Sequence, residues 1–254
     1  VRILLLDIET APNTAHVWGL WQQNVGLPQL LEAGYTLSWA AKWYGDREVF
    51  WSSMRMTSAK RMVKAIHKML NEADVVVHYN GTKFDIPTLN KEFVQYGIAP
   101  PAPFKQIDLL RTCRTQFRFP SNKLAYVAKA LGIGSKLDAG GHETWTDCMS
   151  GDPKAFKRLE EYNIEDVLLL EKLYDKLKPW IKGHANANLY RNNESGNGEG
   201  VGGPVCPTCG SRHFHRRGTY ASATLVYARY QCQKCSRWFR GAKSEGPIEK
   251  YIGV

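Results

Sequence analysis

The chain has 254 residues, about one and a half times the ~150 of an average domain, which allows one well-buried core plus a small appendage and excludes a third full domain. Hydrophobic residues make up 43% and charged residues 23%, with a mean hydropathy of −0.39, the composition of a globular chain and too apolar for wholesale disorder. The net charge of +10 favours a polyanionic partner, and it is unevenly placed: from Cys206 onward nine Lys/Arg face two acids, a local +7, leaving only +3 for everything before.

In chain order, Arg2 to Ile8 is an apolar run ending in acids and reads as a buried strand. Its apolar core, Ile3 to Leu6, falls far short of the roughly 18 residues of a membrane span, and no charged leader precedes it, so an intracellular, cytoplasmic protein is expected. Tyr35 to Tyr44 and Glu48 to Trp51 are β-rich and flank the turn formers Gly45-Asp46, predicting a hairpin. Ser58 to Leu70 carries Met62, Ile66, Met69 and Leu70 at helical spacing, and Asp74 to His78 is a short β-branched strand, so a parallel crossover is predicted. Further helices are predicted from Ile86 to Tyr96, from Asn122 to Leu131 with Gly132 as its stop, and from Pro153 to Leu177 with Asp152 as cap. Strands in a meander followed by alternating helix and strand predict an α/β mixed sheet flanked by helices. There is no internal repeat or heptad run. The stretch from His184 to Pro204 is rich in Asn and Gly and reads as a flexible linker, dividing the chain into domains 1–183 and 205–254.

Two cysteines, Cys113 and Cys148, are isolated. The others form two Cys-x-x-Cys pairs, Cys206/Cys209 and Cys232/Cys235, separated by 22 residues, the pattern of two knuckles closing a four-thiolate zinc site. A segment of about 50 residues is too small to hold a fold by its core alone, and one structural Zn²⁺ would staple it. Within it Tyr227, Arg229, Tyr230, Arg237, Trp238 and Arg240 mix aromatic and basic groups, the mixture that stacks bases and neutralises phosphates.

Asp7 and Glu9, two apart at a strand end, point to the same face. Asp85 follows the turn Asn80-Gly81-Thr82-Lys83-Phe84, where its plain reading is a helix cap that can also ligate a metal. Tyr162 and Asp166 lie one turn apart on a helix whose neighbours Ile164, Val167, Leu168 and Leu169 are apolar. Four acids drawn from three separate elements suit a pair of hard cations such as Mg²⁺ or Mn²⁺ and phosphodiester hydrolysis. Asp108 is read as a capping or supporting residue, Lys83 as solvated, His78 and His142 as structural, and Trp18, Trp21, Trp39, Trp43 and Trp51 as core and hairpin packing rather than base stacking.

Leu6-Asp7-Ile8-Glu9-Thr10, Asn80 to Asp85, and Tyr162-Asn163-Ile164-Glu165-Asp166 occur in that order, and with them residues 1–180 resemble the DEDD superfamily of 3′→5′ exonucleases in its tyrosine branch. The surroundings of the second and third motifs are similar to the exonuclease domains of family B DNA polymerases, and the tail resembles a zinc ribbon. The resemblance implies a ribonuclease H-like fold, two Mg²⁺ or Mn²⁺ held by Asp7, Glu9, Asp85 and Asp166, with Asp7 bridging, and a Tyr162 hydroxyl that orients the attacking water. It implies that Thr10 lies near the substrate's 3′ end, with Asn80 and Lys83 as further candidate contacts. In the tail, the aromatic and basic mixture makes Arg229, Arg237, Trp238 and Arg240 candidates for a grip on single-stranded or junction DNA, with a structural or protein-docking ribbon as the alternative. The expected substrate is DNA in preference to RNA, released as 5′-mononucleotides, with replication or repair proteins as candidate partners. An exoribonuclease of the same fold and a catalytically silent nucleic-acid-binding protein are the alternatives.

Overall fold

The computed structural model describes residues 1–186 and 205–247. The expected linker, 184–204, falls outside them except for its first three residues, as do the last seven residues of the expected 205–254 domain. The chain divides into two compact units, Arg2–Tyr174 and Asp175–Val254 with Val1. Among the described residues, no helix is long and apolar enough to cross a membrane.

The first unit is built on β1 (Ile3–Thr10), followed by the two-stranded β2 (Thr14–Ala15) and β3 (Leu30–Glu32), then β4 (Thr36–Trp43), β5 (Phe50–Ser53), α1 (Ala59–Glu72), β6 (Val75–His78) and α2 (Asp85–Gln95). After these come β7 (Lys105–Asp108), α3 (Leu109–Gln116), α4 (Leu124–Ala130), α5 (Glu143–Met149) and α6 (Pro153–Leu177). Five strands form one sheet in the order β5-β4-β1-β6-β7. β4 is antiparallel to β1 and β5, whereas β6 runs parallel to β1 and β7, giving the mixed sheet expected. This is a ribonuclease H-like fold, a mixed sheet of five strands flanked by helices.

Period-2 alternation sorts the two faces. Leu4, Leu6 and Ile8 of β1, with Trp39, Ala41 and Val76, pack against Met62, Val63, Ile66 and Leu70 of α1 and Ile86, Leu89 and Phe93 of α2. Each fully buried aliphatic there contributes about 1.5–3 kcal/mol. The odd residues of β1 therefore turn to α6, whose Asn163 bonds Asp7 and whose Glu171 pairs with the buried Lys42 of β4 at 2.7 Å. Ala11, Leu37, Cys148, Ala155, Phe156 and Leu159 form a second apolar cluster.

The turn between β6 and α2 is tightly specified. Asn80 is left-handed at φ +73°, a conformation asparagine tolerates, and its amide donates to Asp108 Oδ1 at 3.0 Å. A Cβ on Gly81 would overlap the His78 ring, so only glycine fits there. Asp108 caps α3, accepting from the Leu110 and Arg111 amides, in its expected role.

Several expectations need correction. The second hairpin strand is shifted to Phe50–Ser53, and α3 and α5 were not anticipated. Asp85 is not a cap: Phe84 holds that position and Asp85 is the first helical residue. Of the five tryptophans, Trp39 is buried and Trp43 and Trp51 are partly buried, but Trp18 is 99% and Trp21 85% exposed. The latter two lie between β2 and β3, a two-stranded ribbon that forms a sheet of its own, apart from the five strands that build the core.

The second unit contains β8 (Phe214–Ala221), β9 (Leu225–Cys232) and β10 (Trp238–Pro247), an antiparallel sheet in the order β10-β9-β8. At one end the turn from Cys206 closes through Gly210 N–H to the Cys206 carbonyl at 2.9 Å, with Gly210 at φ +68°.

Candidate active site and cysteine cluster

β1 delivers Asp7 and Glu9 to the face covered by α6, and α6 delivers Asp166, so that one ligand oxygen from each lies within 4.8 Å of the others. Asp85, at the start of α2, stands outside that group of three. Its carboxylate accepts from the Ile8 amide at 3.1 Å, between the two acids of β1, and its charge acts on both of them.

Every carboxylate is oriented by a fixed donor. Asn163 Nδ2 donates to Asp7 Oδ2 at 2.7 Å and is itself braced by Ser38 Oγ, which donates to Asn163 Oδ1 at 3.1 Å. Trp145 Nε1 donates to Glu9 Oε2 at 2.9 Å. Lys136 Nζ pairs with Asp166 Oδ2 at 2.6 Å and lies 4.5 Å from the centroid of the Tyr162 ring. Trp145 meets that ring edge to face at 6.0 Å.

The cluster is electrostatically tense. Burial, then the charges of Glu9, Asp85 and Asp166, push Asp7 well above the usual carboxylate range. Burial raises Glu9 and Asp85 to about 7 each, against the opposing hydrogen bonds of Trp145 and Ile8. Burial also raises Asp166, although Lys136 draws it back. For Lys136, burial works against the charge, but Asp166 outweighs it and holds the ammonium above the ordinary lysine range. Burial moves Tyr162 up to about 12, so its phenol keeps its proton at neutral pH.

A cleft of about 300 Å³ is lined by Thr10, which follows Glu9 in the chain, by Phe84, which precedes Asp85, and by Ala11, Asn13, Thr88 and Lys91. Phe84 is 43% exposed there. Thr10 thus borders the cleft, Asn80 shapes the turn through its backbone, and Lys83 is exposed, in keeping with its solvated reading. His142 is exposed. His78 is fully buried with Nε2 3.1 Å from Gln106 Oε1 and is a packing residue.

Three residues at the acids escaped the sequence reading. Asn163 sits inside a quoted motif, beside Tyr162, so its signal was available. Trp145 lies on α5, a seven-residue helix too short to show a period, and Lys136 is a loop lysine with nothing to distinguish it from the other basic residues.

In the second unit the four sulfurs of Cys206, Cys209, Cys232 and Cys235 lie within 4.8 Å of one another, and two of their separations are 3.7 Å. A tetrahedron of Zn–S bonds of about 2.3 Å has edges of about 3.8 Å, so the donor set and its size suit zinc. Arg229, Trp238 and Arg240 are exposed on the adjoining sheet, while Arg237 is partly buried and donates to the Pro179 carbonyl at 2.7 Å.

No curated protein matches the chain by sequence. Among solved structures, the family B DNA polymerase from the hyperthermophilic archaeon Pyrobaculum calidifontis matches with a TM-score of 0.53 and 20% identity over 70% of this chain. That match covers 24% of the polymerase, so the chain spans about a quarter of its length, and the likeness is one of fold. Residues 35–178 match the RNase_H_2 model of the RNase_H superfamily. With its mixed five-stranded sheet and three acids gathered at the end of β1, the chain belongs to the RNase_H superfamily, a membership that points to nuclease-type chemistry.

Proposed function

We propose that the chain is a 3′→5′ exonuclease of the tyrosine-bearing DEDD type, dependent on Mg²⁺ or Mn²⁺, that trims single-stranded or frayed DNA 3′ ends to 5′-mononucleotides. The observation that carries this reading is the meeting of Asp7, Glu9 and Asp166 within 4.8 Å in an RNase_H superfamily chain. All-carboxylate donors are the hard oxygen set such cations prefer, and the mutual repulsion that raises Asp7 is relieved by a cation. Asp7, Glu9 and Asp166 would hold one ion, with Asp7 and Asp85 serving the second. When bound, the ions supply an activated water and stabilise the departing 3′ oxygen.

The remaining work falls to the chain itself. Asn163, Trp145 and the Ile8 amide hold Asp7, Glu9 and Asp85 in place before substrate arrives, which removes reorganisation from the reaction. Tyr162, still a phenol at neutral pH, orients a water by hydrogen bonding and does not remove its proton. Lys136 fixes Asp166 and the tyrosine ring together. The cleft between Thr10 and Phe84 receives the terminal nucleotide. The architecture proposed is a nuclease domain 1–183, a linker 184–204 and a zinc ribbon 205–254, in an intracellular, DNA-associated protein.

The test is product analysis on 5′- and 3′-labelled DNA and RNA strands, with and without Mg²⁺. Expected is a ladder shortening from the 3′ end of DNA, Mg²⁺-dependent, and lost about a hundredfold or more in Asp7→Asn, with a smaller loss in Tyr162→Phe. Metal analysis should return zinc that disappears in Cys232→Ser. Shortening of RNA alone would transfer the reading to an exoribonuclease, and intact strands with folded protein would leave a silent binding protein.

A further inference from the structure

The three-stranded sheet of the second unit has two chemically different faces. On one, Ala228 and Cys232 are buried, and Phe214, Tyr230 and Phe239 pack ring against ring at centroid distances of 5.3–5.5 Å. This separates Tyr230 from the basic residues with which the sequence grouped it. Alternation turns Tyr227, Arg229 and Gln231 of β9 to the other face. There the register sets Trp238 opposite Gln231, Arg240 opposite Arg229 and Tyr220 opposite Tyr227.

Three rows therefore cross the sheet, with a tryptophan row and a tyrosine row on either side of an arginine row. Along β9 neighbouring rows are two residues apart, about 6.7 Å, so the outer rows are about 13 Å apart on that strand, while β10 bulges between Arg240 and Ser244. The arginines lean on the rings: the Arg240 guanidinium is 3.8 Å from the Tyr227 ring centroid and that of Arg229 is 5.1 Å from Trp238. Arg229 Nε also donates to the Arg217 carbonyl at 2.9 Å, which fixes its charged fork. Trp238 and Tyr220 nevertheless remain 47% exposed each.

Charge reinforces the pattern. Among the described residues of this unit from Val205 on, eight Lys/Arg face a single acid, Glu245. Glu245 is spent on Arg216 at 2.7 Å, whose cross-strand partner Tyr230 belongs to the aromatic cluster of the opposite face. Four thiolates around one zinc would subtract two charges and leave the unit basic.

We infer that this face, centred on Trp238, Arg229, Arg240, Tyr227 and Tyr220, is a binding platform for single-stranded nucleic acid, with bases stacking on the aromatic rows and phosphates on the arginine row. Stacking on exposed rings tolerates any base, and the arginines supply a sequence-independent, salt-sensitive attraction. A duplex keeps its base faces inside its own stack, so it can use the arginines but not the rings. The inference stands apart from the nuclease reading, because it concerns binding alone.

The test uses the full chain without added Mg²⁺ or Mn²⁺ and without chelator, so that strands stay intact and the cysteine site is untouched. Fluorescence anisotropy with a labelled oligothymidylate about twenty nucleotides long is followed across a salt series. Trp238→Ala should weaken binding about tenfold or more, and Trp238→Phe should restore most of it. Arg229→Gln with Arg240→Gln should lower the salt slope by about 0.7 per arginine, whereas Arg216→Gln, on the opposite face and already neutralised, should leave affinity and slope as they were. Wild-type binding by the tryptophan and double-arginine variants, an equal loss in Arg216→Gln, or equal affinity for duplex would overturn the platform. The first of these results would reassign the face to a protein partner.

Discussion

Lys136 gives the most direct measure of how the acidic group is balanced. Its ammonium is 2.6 Å from Asp166, with side-chain exposures of 26% and 3%, and it acts electrostatically on Asp7 and Glu9 as well. Replacing it by methionine keeps an unbranched stem of similar length but leaves the carboxylates facing one another without a cation. Removing one partner of a fully buried pair costs about 3–5 kcal/mol. Because a quarter of the lysine is open to solvent, screening reduces this to about 2–3 kcal/mol. In a domain of this size, each kcal/mol moves the midpoint by about 2–4 °C, so Lys136→Met should melt about 4–12 °C below wild type in buffer without added divalent cation. The deficit should shrink when Mg²⁺ is added, since the same carboxylates then face a cation of higher charge. Equal melting of both proteins without Mg²⁺ would refute the view that the four acids are held together against their own repulsion.

Two further outcomes follow from the same geometry. Without added divalent cation, Glu9 and Asp85 titrate near 7 in the folded chain, above their unfolded values, so their contribution to stability is present in full at low pH and lost as pH rises through about 7. The melting point should therefore fall between about pH 5 and pH 8, with Mg²⁺ raising it more at the higher pH; an equal Mg²⁺ increment at both would contradict the assignment. Gly81→Ala would press a methyl group onto the buried His78 ring and should cost about 1–3 kcal/mol by denaturant titration, while displacing Asp85 and slowing nucleotide release. A variant with unchanged stability and rate would show that the turn has room that its contacts deny.

How much of this could be read beforehand depends on whether a residue's role is carried by local periodicity. Asp7 and Glu9 were legible because alternation on a strand fixes which side chains share a face, whatever surrounds the strand. Tyr162 and Asp166 were legible for the corresponding reason on a helix, and the Gly45-Asp46 turn announced the hairpin of β4 with β5. Asp85 was found by its turn but misjudged, because one residue decides between a cap, which spends its carboxylate on its own helix, and a first helical position, which frees it to reach the Ile8 amide 77 residues away. Trp18 and Trp21 failed for a different cause: aromatic composition states a capacity for burial, and only the presence of a second layer realises it. Lys136 and Trp145 lie beyond both kinds of signal. Their partners are Asp166 and Glu9, 30 and 136 residues distant, and no local pattern encodes a donor whose only purpose is to meet an acid brought by another element. The clustered acids are thus written into strand and helix periods, while the groups that balance and orient them are written into the tertiary fold, which is why the charge of the site is a more searching probe of the reading than the identity of its acids.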